Sequence, residues 1–315
     1  MMYFWLWLSV ALVLLLVPLG ITVYCFFKVF YVPGRDPEDP DAYEIPDGEI
    51  YEPYREGIVA WTKMIREMPR EDVEITSFDG LTLRGRYYEY APGAPVELLF
   101  HGYRGNAERD LSGGVARCFS LGRSAILIDH RAGGRSDGHV TTFGIRERRD
   151  CLAWVQYALQ RFGPEVKLIL TGVSMGAATV MMAMSEPLPP NVVCVLADCG
   201  YSSPREIICK VMRDMHLPAE VFYPFVRLAA RLFGRFDLEE TSPLEAVRKT
   251  DIPLILIHGD VDAFVPYEMS VRVFEACRSQ KKLVPIRGAG HGLAYPTDPE
   301  GYVQALTDFQ QECGF

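Results

Sequence analysis

The sequence predicts an α/β protein with a mostly parallel central sheet, helices on both faces and a small helical lid, preceded by one transmembrane helix. Three observations predict it. No charged residue precedes Lys28. From about residue 71, short apolar runs alternate with stretches of helical periodicity. One interval between runs, from Ala197 to Ile252, is far longer than the others. The predicted organisation is an anchor over 1–28, a connector with a short helix over 29–70, and one domain over 71–315 with a lid insertion at 200–250.

The anchor comes first. Residues 1–27 form a helix of about 40 Å at ~1.5 Å per residue, against a hydrocarbon core ~30 Å thick. Trp5, Trp7 and Tyr24 lie toward its ends, where amphipathic rings favour the headgroup region. A cleaved secretory signal fits poorly. There is no basic leader, the apolar run is long, and no small-residue cleavage site follows. Lys28 and Arg35 follow the span and no base precedes it, so the positive-inside rule places the C-terminal domain on the cytoplasmic side. The eight cysteines show no paired spacing, which reads as reduced, buried thiols.

The connector carries most of the acidity. The whole chain has 41 acidic and 32 basic side chains, a net charge of −9. Nine of those acids fall between Asp36 and Glu56, beside a single arginine and four prolines. This composition predicts an extended, solvated spacer, repelled by anionic headgroups and holding the domain off the surface. The acidic balance argues against nucleic-acid binding, and the apolar fraction of 49% is too high for a disordered chain. Residues 57–69 have apolar positions at helical spacing.

The domain opens with a hairpin, DVEITSF and LTLRGRYYEY around Asp79-Gly80. Apolar runs follow at 96–100, 124–130, 167–173, 191–197, 252–258 and 282–286, separated by helical patterns at 106–120, 143–161, 175–185, 266–278 and 298–312. Two more helical stretches, 203–215 and 219–234, fill the long interval.

In such sheets ligands gather beyond the carboxyl ends of the strands. After KLILT comes Gly172-Val173-Ser174-Met175-Gly176 and then a helix. That context puts a serine on a tight turn with its hydroxyl clear of the sheet. A second match, Gly134-Arg135-Ser136-Asp137-Gly138, sits in a polar loop with no helix after it, and reads as a glycine-rich turn. A serine needs a base. Of six histidines, His291 lies past the last strand among small residues in Gly288-Ala289-Gly290-His291-Gly292. His101, His130 and His258 adjoin strands and read as packed groups, while His139 and His216 read as solvated. The segment after strand 252–258 offers two carboxylates, Asp260 and Asp262. No zinc-type spacing and no dinucleotide-binding glycine fingerprint occurs, so neither metal nor cofactor is expected.

The order Ser174, Asp262, His291 and the motifs HGYRGN (101–106), DHRAGGRS (129–136), GVSMGA (172–177), HGDVDAFVP (258–266) and GAGHG (288–292) resemble the alpha/beta-hydrolase superfamily. The resemblance covers about residues 71–315. It implies Asp262 rather than Asp260 as the acid of a triad. It also implies an oxyanion hole from the backbone N–H groups of Tyr103 and Met175, and an acyl ester or thioester as substrate. A peptidase of the proline-aminopeptidase type and a non-catalytic membrane-tethered scaffold are the alternatives. The lid's methionines and aromatics read as helix packing and as an apolar surface for a small or lipid-like acyl substrate. Arg104, Phe264 and Phe222 are the candidate substrate contacts.

Overall fold

A computed structural model describes residues 2–34 and 42–314. Arg35, one of the two charges behind the expected sidedness, and the connector acids at 36–41 lie outside the described residues, as do Met1 and Phe315. One eight-stranded sheet organises the domain: β1 (Glu71–Thr76), β2 (Thr82–Tyr88), β3 (Val96–Phe100), β4 (Ser124–Ile128), β5 (Leu168–Val173), β6 (Val192–Asp198), β7 (Leu254–Gly259) and β8 (Lys281–Ile286). The strand order is β1-β2-β4-β3-β5-β6-β7-β8. The β1–β2 hairpin and the β2–β4 pair are antiparallel, and every other pairing is parallel. Gly80 closes the hairpin at φ +89°, a conformation that costs glycine little.

The helices are α1 (Met2–Val29), α2 (Arg55–Glu67), α3 (Ala107–Ser120), α4 (Glu147–Phe162), α5 (Met175–Ala183), α6 (Pro204–Asp214), α7 (Ala219–Ala229), α8 (Pro243–Ala246), α9 (Tyr267–Ala276), α10 (Ala294–Thr297) and α11 (Pro299–Cys313). Their starts follow local chemistry. The Asn106 side chain accepts from Arg109 N–H at the head of α3, Ser203 accepts from Glu206 N–H before Pro204, and Asp298 accepts from Gly301 N–H before Pro299. Strands β3, β4 and β7 are buried along their whole length, as expected for a sheet covered on both faces. This is the alpha/beta-hydrolase architecture.

Glu97 is the exception inside that core. It is fully buried on β3, where Arg117, Arg123 and the Thr171 hydroxyl all contact its carboxylate. Burial would raise its pKa, but the two guanidinium groups outweigh burial and hold it below the usual range. All eight cysteines are free thiols, seven of them buried.

The N-terminal segment departs from expectation in two ways. Helix α1 is apolar and long enough to cross a bilayer, but it does not end as a free stalk. Its large apolar side chains are exposed from Met2 to Leu19, whereas Thr22 and Cys25 are buried. The chain beyond is stitched to the domain: Thr141 N–H donates to Phe30 O and Val32 N–H to His139 O. His139, read as solvated, stacks on Tyr31 with ring centroids 5.7 Å apart. The last turns of α1 pack along the lid helix α7. The apolar stretch left open is therefore about 27 Å at ~1.5 Å per residue, close to a bilayer's thickness with little to spare.

The described part of the connector is not a solvated spacer either. Residues 49–54 form a 3-10 helix, and Tyr51 is buried against the domain. Arg66 donates to Ala42 O, and Asn106 donates to the Glu44 carboxylate. The acids face solvent and arginines, while Tyr51 turns inward, Ile45 is partly covered, and Ile50 stays half exposed on the cavity wall, a difference that composition averages out.

Candidate active site

Ser174 occupies the turn between β5 and α5 at φ +55°, ψ −113°, a strained conformation for a residue with a side chain. The two flanking glycines are required by close approach. A Cβ on Gly172 would lie 2.1 Å from the Gly176 carbonyl carbon, and one on Gly176 would lie 2.0 Å from Phe100 O. The strand therefore crosses under the helix start with no space for a methyl group, and the serine hydroxyl is pushed outward.

His291 enters from the loop after β8. Its Nε2 lies 2.9 Å from Ser174 Oγ, and its Nδ1 lies 2.7 Å from Asp262 Oδ2. Asp262 follows β7 and is held from both ends. Its Oδ1 accepts from Phe264 N–H and Val265 N–H, each at 2.9 Å, and Oδ2 also lies 3.2 Å from His258 Nε2. Burial opposes its charge. Hydrogen bonds from His258, His291 and the backbone outweigh burial and hold the carboxyl well below the usual carboxylate range. Asp260 is exposed and accepts instead from Gly288 N–H at 2.6 Å, which tightens the loop carrying His291.

The remaining histidines have other occupations. His101 Nδ1 lies 2.7 Å from Gly102 O, and its Nε2 accepts from His130 N–H. Burial and His101 push His130 down to about 3. His258 bonds the Ser270 hydroxyl and Val265 O. Ser136 is likewise engaged: its hydroxyl donates to Asp129 O and accepts from Arg84 N–H.

Gly102 lies against the nucleophile, where a Cβ would sit 3.7 Å from the Ser174 Cβ. The Gly102–Tyr103 peptide is thus beside Ser174. The Asp110 carboxylate holds that loop through Gly102 N–H at 3.1 Å. Met175 begins α5, so its N–H belongs to the first turn and has no partner within the helix. The N-terminus of α5 at this position favours negative charge.

A cavity of about 530 Å³ opens onto Ser174 and His291. Its apolar walls include Ile50 and Tyr51 of the connector, Ile58 and Trp61 of α2, Leu111 of α3 and Tyr295 of α10. Trp61 stacks on Tyr295 at 5.3 Å. No residue of 200–250 lines this cavity, so the lid does not supply the acyl surface expected of it. Lid residues Tyr223 and Val226 instead pack with Phe30, Phe143 and Phe236 at the end of α1. Of the three candidate substrate contacts, Phe264 and Arg104 line the cavity, Phe264 with its ring 5.0 Å from that of His291. Phe222 lies in the cluster between lid and α1. The Arg104 guanidinium donates to Lys28 O and Tyr31 O, each at 2.9 Å, and so caps α1.

Asp198, at the end of β6, escaped the sequence reading. It lines the cavity, accepts from the Tyr302 hydroxyl at 2.9 Å, and its other oxygen has no partner among the described residues. Burial pushes it up to about 6 against the pull of Tyr302. Cys199 beside it is buried, and its thiol lies with Asp262 and His291 in the one three-residue group among the described residues with metal-ligand spacing. The Asp262 and His291 atoms of that group already bond each other, and burial, Asp198 and Asp262 hold the thiol protonated.

Comparison with known proteins adds family evidence. Residues 140–314 match the prolyl oligopeptidase family. The chain is 24% identical over 246 residues to protein YqkD of Bacillus subtilis (strain 168), covering 77% of this chain and 80% of that one. Among solved structures, a Pyrococcus furiosus esterase superposes with a TM-score of 0.64 at 22% identity, over 89% of this chain and 99% of its own. Est1E from Butyrivibrio proteoclasticus, solved with ferulic acid bound, superposes at 0.59 and 22% identity, over 76% and 98%.

Proposed function

The chain belongs to the prolyl oligopeptidase family of alpha/beta-hydrolases, and from that premise we propose that it is a serine hydrolase of acyl esters or thioesters. The observation that carries the proposal is the hydrogen-bonded line from Ser174 through His291 to Asp262 at the mouth of an apolar cavity. In the tautomer that suits both contacts, His291 carries its proton on Nδ1, toward Asp262. Its Nε2 then takes the Ser174 proton as Oγ attacks the acyl carbonyl. The oxyanion is received by the N–H groups of Tyr103 and Met175. His291 returns the proton to the departing alkoxide or thiolate, and water repeats the sequence to release the acid. Asp262, kept ionised by four donors, stabilises the imidazolium at each step.

Ester and thioester are favoured over peptide by what surrounds the site. An aminopeptidase must hold a substrate ammonium with a carboxylate. The nearby Asp110 is committed to Gly102 N–H and to Arg109 at 2.7 Å. Asp47, Asp198 and three arginines also line the cavity, and the larger part of its wall is aromatic and aliphatic surface suited to an acyl group. The P. furiosus and B. proteoclasticus relatives are consistent with small-molecule esters. The test is fluorophosphonate labelling of the detergent-solubilised protein, followed by turnover of p-nitrophenyl esters, acyl thioesters and aminoacyl amides. Ser174→Ala abolishes labelling and Ser136→Ala leaves it intact. Persistent labelling of Ser174→Ala refutes the nucleophile, and turnover of aminoacyl amides alone refutes the substrate class.

A further inference from the structure

We propose that the last turns of α1 are a working part of the hydrolase, and that the side chains of Tyr103 and Arg104 are positioning residues that hang the oxyanion loop on the carbonyls of that helix. This rests on the reading of the Tyr103 N–H as an oxyanion donor. The Tyr103 hydroxyl donates to Val29 O at 2.7 Å. Burial pushes that phenol up to about 12, so it stays a donor throughout the working pH range. Arg104 next to it donates to Lys28 O and Tyr31 O. These carbonyls close the C-terminus of α1, where the helix leaves acceptors unmet and carries partial negative charge. A cation and a phenol from one loop satisfy them together.

The loop is held under tension by this arrangement. Arg104 sits at φ +53°, in the left-handed region that a side chain ordinarily avoids. On one side Gly102 is fixed by Asp110, and on the other Tyr103 and Arg104 are fixed by α1. The Gly102–Tyr103 peptide between them has little freedom to turn its N–H away from Ser174. The helix end is itself immobilised. Phe30 is fully buried, edge-on to Phe236 at 5.3 Å and to Phe143 at 6.0 Å. The Tyr103 ring packs on the same Phe143 at 5.0 Å. Preorganised donors act in the transition state without reorganisation, so whatever fixes this peptide should act on turnover more than on substrate binding.

The test uses the full chain in detergent or nanodiscs, with Tyr103→Phe, Arg104→Ala and the double variant. Tyr103→Phe keeps the ring on Phe143 and removes only the bond to Val29 O. The double variant lowers kcat by roughly 10- to 100-fold, part of the loss seen when an oxyanion donor is deleted outright. KM stays put, and the thermal midpoint falls by no more than the several degrees that three lost hydrogen bonds are worth. Affinity for a trifluoromethyl ketone of the same acyl chain, whose hemiketal with Ser174 places an oxyanion in the hole, falls in step with kcat/KM. An unchanged kcat in the double variant overturns the proposal, and so does a lower kcat with unchanged ketone affinity. Amide hydrogen exchange over residues 102–105 reads the same point without any substrate. Exchange quickens in the double variant, and unchanged exchange overturns the proposal whichever bond the enzyme cleaves. Failure of the ester reading would instead show as an inert wild type with the exchange difference intact.

Discussion

Replacing Asp262 with asparagine should cost far more than the loss of one charge. In the wild type, Oδ1 faces two backbone N–H groups, those of Phe264 and Val265, while Oδ2 faces His291 and His258. An asparagine has one oxygen and one NH₂ group. Facing NH₂ toward the two amide donors would leave three N–H groups opposed without an acceptor. The oxygen therefore takes the Oδ1 position and the NH₂ group faces His291. His291 Nδ1 must then accept, its proton moves to Nε2, and that proton points at Ser174 Oγ, 2.9 Å away. The base is in place but already protonated on the wrong nitrogen. Wrong-tautomer variants of serine hydrolases lose about 10⁴ in kcat, or about 5 kcal/mol of transition-state stabilisation. The assay is steady-state hydrolysis of a p-nitrophenyl ester with Asp260→Asn as the matched control. Asp260 only accepts from Gly288 N–H, so its variant should lose less than about tenfold, the equivalent of ~1 kcal/mol for one hydrogen bond. Equal losses in the two variants, or a loss under tenfold in Asp262→Asn, would refute the reasoning.

Two further predictions follow from the cavity. Tyr51→Ala opens its roof, so kcat/KM for long-chain acyl esters falls by about tenfold or more, the worth of ~1.5–3 kcal/mol of apolar burial, while an acetyl ester is hardly affected. Equal losses across a chain-length series would show that Tyr51 does not touch the acyl chain. Asp198 gives a pH dependence of stability. Its carboxyl is raised from 3.8 to about 6 in the fold, so folding favours the protonated form. That stability is fully present below about pH 4 and is lost as pH rises through about 6, to the extent of ~3 kcal/mol. Asp198→Asn lacks the titration. Its thermal midpoint should therefore gain on the wild type between about pH 4 and pH 7, and parallel midpoints across that range would count against the assignment.

The sheet and the three residues of the hydrogen-bonded line were legible because their signals are local. A buried strand is an uninterrupted apolar run, and the serine turn shows itself through glycines that its own neighbours require. What stayed hidden depends on contacts far along the chain. Glu97 looks like an ordinary surface residue in VELLF until Arg117 and Arg123 are brought beside it. Arg104 could be placed only once α1 was seen to end against it. The connector was misjudged for a related reason. Its nine acids dominate any average, yet the docking of its described part turns on Tyr51, a single residue that leaves no periodic trace. The lid's apolar side chains read as packing and as a substrate surface, and they do the first, against the end of α1, a partner no local pattern announces.

The roof over Ser174 comes from chain that precedes the hydrolase sheet, and the family match begins only at residue 140. Part of the fitting surface thus lies outside the matched half that holds the three residues of the hydrogen-bonded line, while Phe264 and Tyr295 complete it from within. Ser174, Asp262 and His291 fall inside the matched half, while Ile50, Tyr51, Ile58 and Trp61 fall outside it. Diversification can then proceed by substitution at positions such as Ile50, Tyr51, Ile58 and Trp61, which take no part in the contacts between α1 and the loop of Tyr103 and Arg104. Exchange of that leading portion between homologues would carry substrate preference with it, as a cartridge moves between identical bodies. Trimming it away to obtain a tidier protein would discard the preference being sought.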